Sequence, residues 1–335
     1  MLKKQELWIF LIIIGIASFF RLYTMDAIVF PIIGILTVIG LYLLTKELFE
    51  WRLAAIASYL MAISFWHVSF SRMESVVIII PFALVYAFYF LWKGLKNNHL
   101  PDFVVAGIFG GLGAYLSANV QSSVLNICFA SFIVIALFIN YWWYLKKDFS
   151  HAKYEYAKTK LLQGFVLLAL MAFIVALPAG INFWQHQEGF FSPIKISASS
   201  VVKTLGMFNF SDSPILPWPI GVFFLVGFIN ELIHWLKRKH GHLSTIHTFM
   251  FAWFFITLIP GFLSTIAPDA LLTIGVLPVV IIFTARGIWW FFDKLKSWYS
   301  LRDLHSIHEA HAITALVMIV FLFSIGFMEY WRYFK

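Results

Sequence analysis

The sequence predicts an all-α fold, a polytopic transmembrane helix bundle of about 11 spans. Three observations lead there. First, the 335 residues are 61% hydrophobic and 12% charged, with a mean hydropathy of +0.87; a soluble domain is about 45–50% apolar and about 25% charged. Second, apolar runs long enough to cross a bilayer, about 20 residues with a range near 17–25, recur along the whole chain. Third, basic residues cluster between alternate runs. Together these exclude a disordered or fibrous chain and a soluble enzyme on a single anchor.

Taken in order, Leu7–Leu22 follows Lys3 and Lys4 and has no small-residue cleavage site after it, so it reads as a retained first helix. Ala27–Leu44, Leu53–Ser69 and Val76–Trp92 come next. Phe103–Leu116 is short and carries Gly107, Gly110, Gly111 and Gly113. Small residues let helix backbones approach closely, so this span is expected inside the bundle. Val124–Tyr144 holds Cys128, the only cysteine, which reads as a small buried hydrophobe and forms no intramolecular disulfide. Leu161–Phe183, Pro219–Trp235, Ile246–Leu263, Ala270–Ile288 and Ala312–Phe327 complete the set. Residues 1–335 are expected to form one integral membrane domain, with 184–218 as its largest extramembrane segment.

The charges orient these spans. With the N-terminus in the cytoplasm and strict alternation, only Arg21, Arg72, Lys195, Lys203, Arg332 and Lys335 of the 24 basic residues fall outside. The other 18 fall in cytoplasmic segments, as the positive-inside rule requires. Removing the glycine-rich span would place the Lys146–Lys160 cluster outside. The net charge of +8 is therefore topological, and no nucleic-acid partner is expected. The C-terminus is expected on the extracytoplasmic face of the plasma membrane.

Outer segments that topology does not explain are where chemistry is sought. Trp66–Glu74 offers His67, Arg72 and Glu74. The long loop 184–218 offers His186, Glu188, Lys203, Asn209 and Asp212. An arginine at a membrane–water boundary suits a phosphate, which guanidinium binds bidentately, so Arg72 is the first candidate; a snorkelling Arg72, or one paired with Glu74, is the alternative. Lys203 is a candidate second cation, and His67 and His186 are candidate acids or bases. The cytoplasmic His305, His308 and His311 share a helical face, which reads more simply as a solvated face than as a metal site. No Walker loop, Rossmann fingerprint, nucleophile elbow or zinc spacing is present, so no cofactor or metal is expected.

Several stretches fall in the order found in one group of enzymes. These are Gly34–Phe49, the run Ala62-Ile63-Ser64-Phe65-Trp66-His67-Val68-Ser69-Phe70-Ser71-Arg72, Gly110–Tyr115, Lys203–Phe210 and Leu263–Pro278. The chain resembles bacterial membrane glycosyltransferases of the GT-C superfamily, in particular the dolichyl-phosphate-mannose protein mannosyltransferase family, the glycosyltransferase thirty-nine-type branch. The resemblance implies hexosyl or pentosyl transfer from a polyprenyl-phosphate-sugar donor to an acceptor on the extracytoplasmic face. It also implies an acidic general base in the first outer loop, with Arg72 and Lys203 against the leaving phosphate. That family has a substantial first outer loop; here only Arg21–Asp26 joins the first two spans, and Asp26 is its one carboxylate. Glu74, Glu188, Asp212 and Asp269 are the other outer carboxylates. Two alternatives stand beside this reading: a non-catalytic scaffold that binds a lipid-phosphate or a partner protein, and a small transporter or flippase.

Overall fold

The computed structural model describes residues 4–23, 28–73, 75–117, 133–135, 137–139, 141–142, 146, 151–185, 198–210, 214–237, 242–263, 270–301 and 307–334. Every described element is helical. The helices are α1 Lys4–Leu22, α2 Val29–Leu48, α3 Trp51–Ile63, α4 Phe65–Arg72, α5 Ile79–Asn97, α6 Leu100–Ser117, α7 His151–Gln185, α8 Ala198–Gly206, α9 Ile220–Lys237, α10 His242–Phe262, α11 Ala270–Thr273, α12 Leu277–Leu301 and α13 Ile307–Phe334. Short 3₁₀ turns, Val76–Ile78 and Ile274–Val276, lead into α5 and α12. Eight helical segments among the described residues are long and apolar enough to cross a membrane, and the pair α3–α4 makes nine if it counts as one broken span. The chain is thus an all-α, multi-pass membrane-helix bundle, as composition predicts. The expected sixth span, Val124–Tyr144, lies largely outside the described residues.

Polar contacts show which helix ends lie together. Glu6, in the first turn of α1, pairs with Lys46 and accepts a hydrogen bond from the Tyr42 hydroxyl at 2.7 Å near the end of α2. Glu47 takes Lys96 from the end of α5 at 2.9 Å. These mark the Lys46 end of the bundle. The opposite, Arg21 end gathers the close of α1, the close of α4 and the last turn of α13, where Phe19 and Phe20 meet the rings of Tyr330 and Phe334. Helices α6 and α7 run parallel: the chain meets itself at Gly107 against Leu168 and again at Gly111 against Ala172. It therefore changes ends between Ser117 and His151.

One span departs from expectation. The third run reads as a continuous helix from Leu53 to Ser69. The chain instead breaks at Ser64, whose φ of −54° and ψ of 118° leave the helical region, bends by 53°, and continues to Arg72. A second departure is α8. Its buried side chains are the polar Ser200 and Thr204, while Val202 and Leu205 point outward. With Ser199 and Lys203 also exposed, the outward side mixes apolar and polar groups, as suits a helix at the membrane–water boundary.

The glycine-rich run of α6 divides by function. A Cβ on Gly111 would lie 2.6 Å from the Ala172 carbonyl oxygen of α7, and one on Gly107 would lie 2.5 Å from that of Leu168. Gly110 has nothing within 4 Å of such an atom. Gly111→Val should therefore lower stability by about 2 kcal/mol or more, the cost of overpacking against an unyielding backbone. Gly110→Ala should be neutral. Thermal aggregation midpoints in detergent measure both, and equal midpoints for the two variants would refute the α6–α7 contact.

Candidate functional site

The break at Ser64 frees backbone groups that a continuous helix would satisfy internally, and in a bilayer no water replaces them. Charged side chains from two other helices do so. On the α3 side, Arg21 donates from Nη1 to the Ala62 oxygen at 2.7 Å and from Nη2 to the Met61 oxygen at 3.1 Å. Nη1 also reaches the Ala17 oxygen of its own helix at 3.2 Å. On the α4 side, the Phe65 N–H donates to Oε2 of Glu329 at 3.0 Å. A cation thus sits at the carbonyl end of one half-helix and a carboxylate at the amide end of the other, the arrangement the helix dipoles favour.

Arg21 also crosses the break. Its Nη2 lies 2.6 Å from Nδ1 of His67, in the first turn of α4. Guanidinium only donates, so Nδ1 accepts and the imidazole carries its proton on Nε2. Both side chains are fully buried, and neither Arg21 Nε nor His67 Nε2 makes a hydrogen bond. Helix α2 admits the guanidinium at Gly34, where a Cβ would lie 2.9 Å from both Arg21 Nε and Ser71 Cβ.

Arg72, eight residues past the break, closes α4 onto α1. Its Nη1 donates to the Tyr23 oxygen at 2.9 Å and to the Phe20 oxygen at 3.2 Å. Its guanidinium carbon lies 5.2 Å from the Tyr333 ring centre and 5.6 Å from that of Phe334, within cation–π range. The Nη2–Nε edge takes no hydrogen bond among the described residues. Arg332 lies over Phe65, 4.4 Å from the ring centre, and donates from Nη2 to the Pro214 oxygen at 2.8 Å. Trp66 Nε1 approaches the same oxygen at 3.4 Å. The segment that follows α8 is thereby tied to α4 and α13.

The expected site residues fall into three groups. His67 and Arg72 share α4, but His67 is buried on Arg21 while Arg72 reaches the rim. Lys203 is exposed on α8, whose Thr204 donates to the Gly261 oxygen at 3.1 Å, and no contact among the described residues joins Lys203 to Arg72. Asn209 donates to the Gly221 oxygen at 3.2 Å, holding the turn after α8 to the start of α9. Asp26, Glu74, His186, Glu188 and Asp212 lie outside the described residues. Arg21, Glu329 and Arg332 belong to the site although sequence reading weighed Arg21 and Arg332 for topology alone. The available signals were an arginine inside the apolar run Phe19-Phe20-Arg21-Leu22 and a Glu329/Arg332 pair at i, i+3. No group of three potential metal ligands occurs among the described residues.

Charge is distributed unequally between the two ends. At the Lys46 end, Glu6, Glu47, Asp102 and Glu231 each face a basic partner, the last two being Lys93 at 3.5 Å and Arg286 at 2.5 Å. At the Arg21 end, the described residues set Arg21, Arg72 and Arg332 against one carboxylate, Glu329. A cavity of about 740 Å³ opens among α5, α6 and α7. Its wall is apolar and runs from Ile80 and Ala114, nearest the Arg21 end, past Ala172 to Leu91 and Ala106.

No protein-family model and no curated protein matches the chain. Among solved structures it is similar to the Archaeoglobus fulgidus oligosaccharyltransferase in complex with zinc and sulfate, at 19% identity over 90% of this chain and 41% of that one, with a TM-score of 0.47. It is also similar to the archaeal oligosaccharyltransferase AglB from the same organism in complex with an inhibitory peptide and a dolichol-phosphate, at 19% identity over 90% of this chain and 44% of that one, TM-score 0.47. The chain spans about two fifths of the length of these structures.

Arg21→Met should cost about 3 kcal/mol, because buried carbonyls lose a charged donor. Arg21→Lys should recover less than half of that, since one ammonium cannot reproduce a fork that reaches α3 and α4 together. Unfolding midpoints in detergent read both. A Met variant as stable as the parent would show that Arg21 does not hold the break.

Proposed function

We propose that the chain is a GT-C-type membrane glycosyltransferase that takes a polyprenyl-phosphate-linked sugar at its Arg21 end, on the extracytoplasmic face. One observation carries the reading: three arginines converge at that end against a single described carboxylate, and Arg72 presents its Nη2–Nε edge at the rim. That edge matches two oxygens of a phosphate. The apolar cavity among α5, α6 and α7 begins at Ile80, eight residues past Arg72, and suits the isoprenoid chain of such a donor.

The chemistry that follows is a displacement at the anomeric carbon. An acceptor hydroxyl attacks it and loses its proton to a carboxylate, for which Asp26 is the candidate base. The bond from the anomeric carbon to the phosphate oxygen breaks, and the lipid phosphate leaves with an added negative charge. Arg72 stabilises that charge as it develops, with Lys203 the candidate second cation. A second reading, a non-catalytic binder of lipid phosphate, is favoured by the engagement of Glu329. The carboxylate described at this end is held by the Phe65 amide and is not available to an acceptor.

Transfer of radiolabelled sugar from a panel of polyprenyl-phosphate donors in proteoliposomes tests this. Asp26→Asn should abolish transfer and leave donor binding within about twofold, whereas Arg72→Ala should weaken donor binding by about tenfold or more, or at least 1.4 kcal/mol. Donor binding without transfer by the wild type would favour the scaffold. Unchanged binding in Arg72→Ala would overturn the phosphate site.

A further inference from the structure

We propose that Arg21 and His67 are the positioning residues of the phosphate site: together they set the direction of α4 and so place the Arg72 guanidinium. The inference rests on the reading of Arg72 as the phosphate ligand. The observations are geometric. The span is broken at Ser64 and bent by 53°, the first amide of α4 bonds Glu329 and not the α3 backbone, and one guanidinium bonds both sides of the break, Met61 and Ala62 before it and His67 after it. Arg72 lies five residues beyond His67, more than one helical turn along the same rigid piece. Its only described backbone anchors are Phe20, in the helix that also carries Arg21, and Tyr23, the residue just past that helix's end. Helix α1 therefore holds α4 near its start and at its end. Glu329 supports the arrangement from α13 by accepting the Phe65 amide. Neither Arg21 nor His67 is exposed to reach a ligand, so any effect they have on binding passes through α4.

The test separates position from contact. In the full chain with Cys128→Ser, the only native cysteine is removed, and spin labels are placed through Arg52→Cys at the start of α3 and Met73→Cys just past α4. Both positions are exposed. The inter-label distance reports the bend, and binding of farnesyl phosphate in micelles, with inorganic phosphate as a second probe, reports the site. His67→Ala should shift and broaden the distance and weaken farnesyl phosphate binding by about tenfold. His67→Gln, which restores an acceptor to Arg21, should return both to within about twofold of the parent. Arg72→Ala should weaken binding and leave the distance unchanged. An unaltered distance in His67→Ala would overturn the inference, whether or not binding falls, and so would failure of His67→Gln to restore it. Unaltered binding in Arg72→Ala would overturn the phosphate reading alone, since the distance still decides what holds α4. Equal binding of inorganic phosphate would identify the phosphate group, without the lipid, as the ligand.

Discussion

A guanidinium sealed inside a membrane-helix bundle must find its acceptors within the protein, and both terminal nitrogens of Arg21 do so where, among the described residues, a span is broken. An isolated charge in hydrocarbon is costly, and so are orphaned carbonyls at a helix end. Placed together, each removes the other's penalty. The carbonyls of Met61 and Ala62 need donors, Arg21 needs acceptors, and the absence of a side chain at Gly34 leaves the room in which they meet. Much else at this end depends on that arrangement: the bend, the seat of His67, and the point at which α4 returns to α1.

The opposite side of the break is completed by the opposite charge. Glu329 comes from the last helix, more than 260 residues along the chain, and caps the first amide of α4. The bundle is thus closed at one corner by its first and last helices acting on its third span. Arg332, one turn beyond Glu329, extends the same corner to Pro214 and the segment that follows α8. Such polar closure is unneeded at the Lys46 end, where Glu6, Glu47, Asp102 and Glu231 each have basic partners and the helices turn back without a break.

Much of the fold was legible in the sequence because lipid imposes a simple rule on it. A run long enough to cross must be apolar, and the helices found over 4–22, 29–48 and 220–237 follow that rule within a few residues. The break at Ser64 was not legible, because nothing local forces it. Phe65, Trp66 and Val68 continue the apolar pattern, and the residues that stabilise the kink lie in α1 and α13. The same holds for the site. Arg72 was singled out because it stands beside a loop, where charge looks functional. Arg21 and Arg332 were weighed for orientation alone, and Glu329, two residues past the expected last span, was not weighed at all. His67 was seen as a possible acid or base, yet its neighbour Arg21 makes it an acceptor in the interior. Periodicity reports what a helix faces on average, not which distant side chain completes its ends.

Helix α8 carries a consequence for how molecules arrive. Because its outward face carries Val202 and Leu205 beside Lys203, and Phe210 and Trp218 beyond it are also exposed, this flank of the Arg21 end suits the headgroup boundary. The flank is a shoreline and not an open basin. A lipid-borne ligand meets it by lateral diffusion in two dimensions, already oriented with its head at the level of the arginines. A water-borne partner has to come down from above, along the remaining arc. The two kinds of visitor would therefore use different approaches and would not queue for the same door.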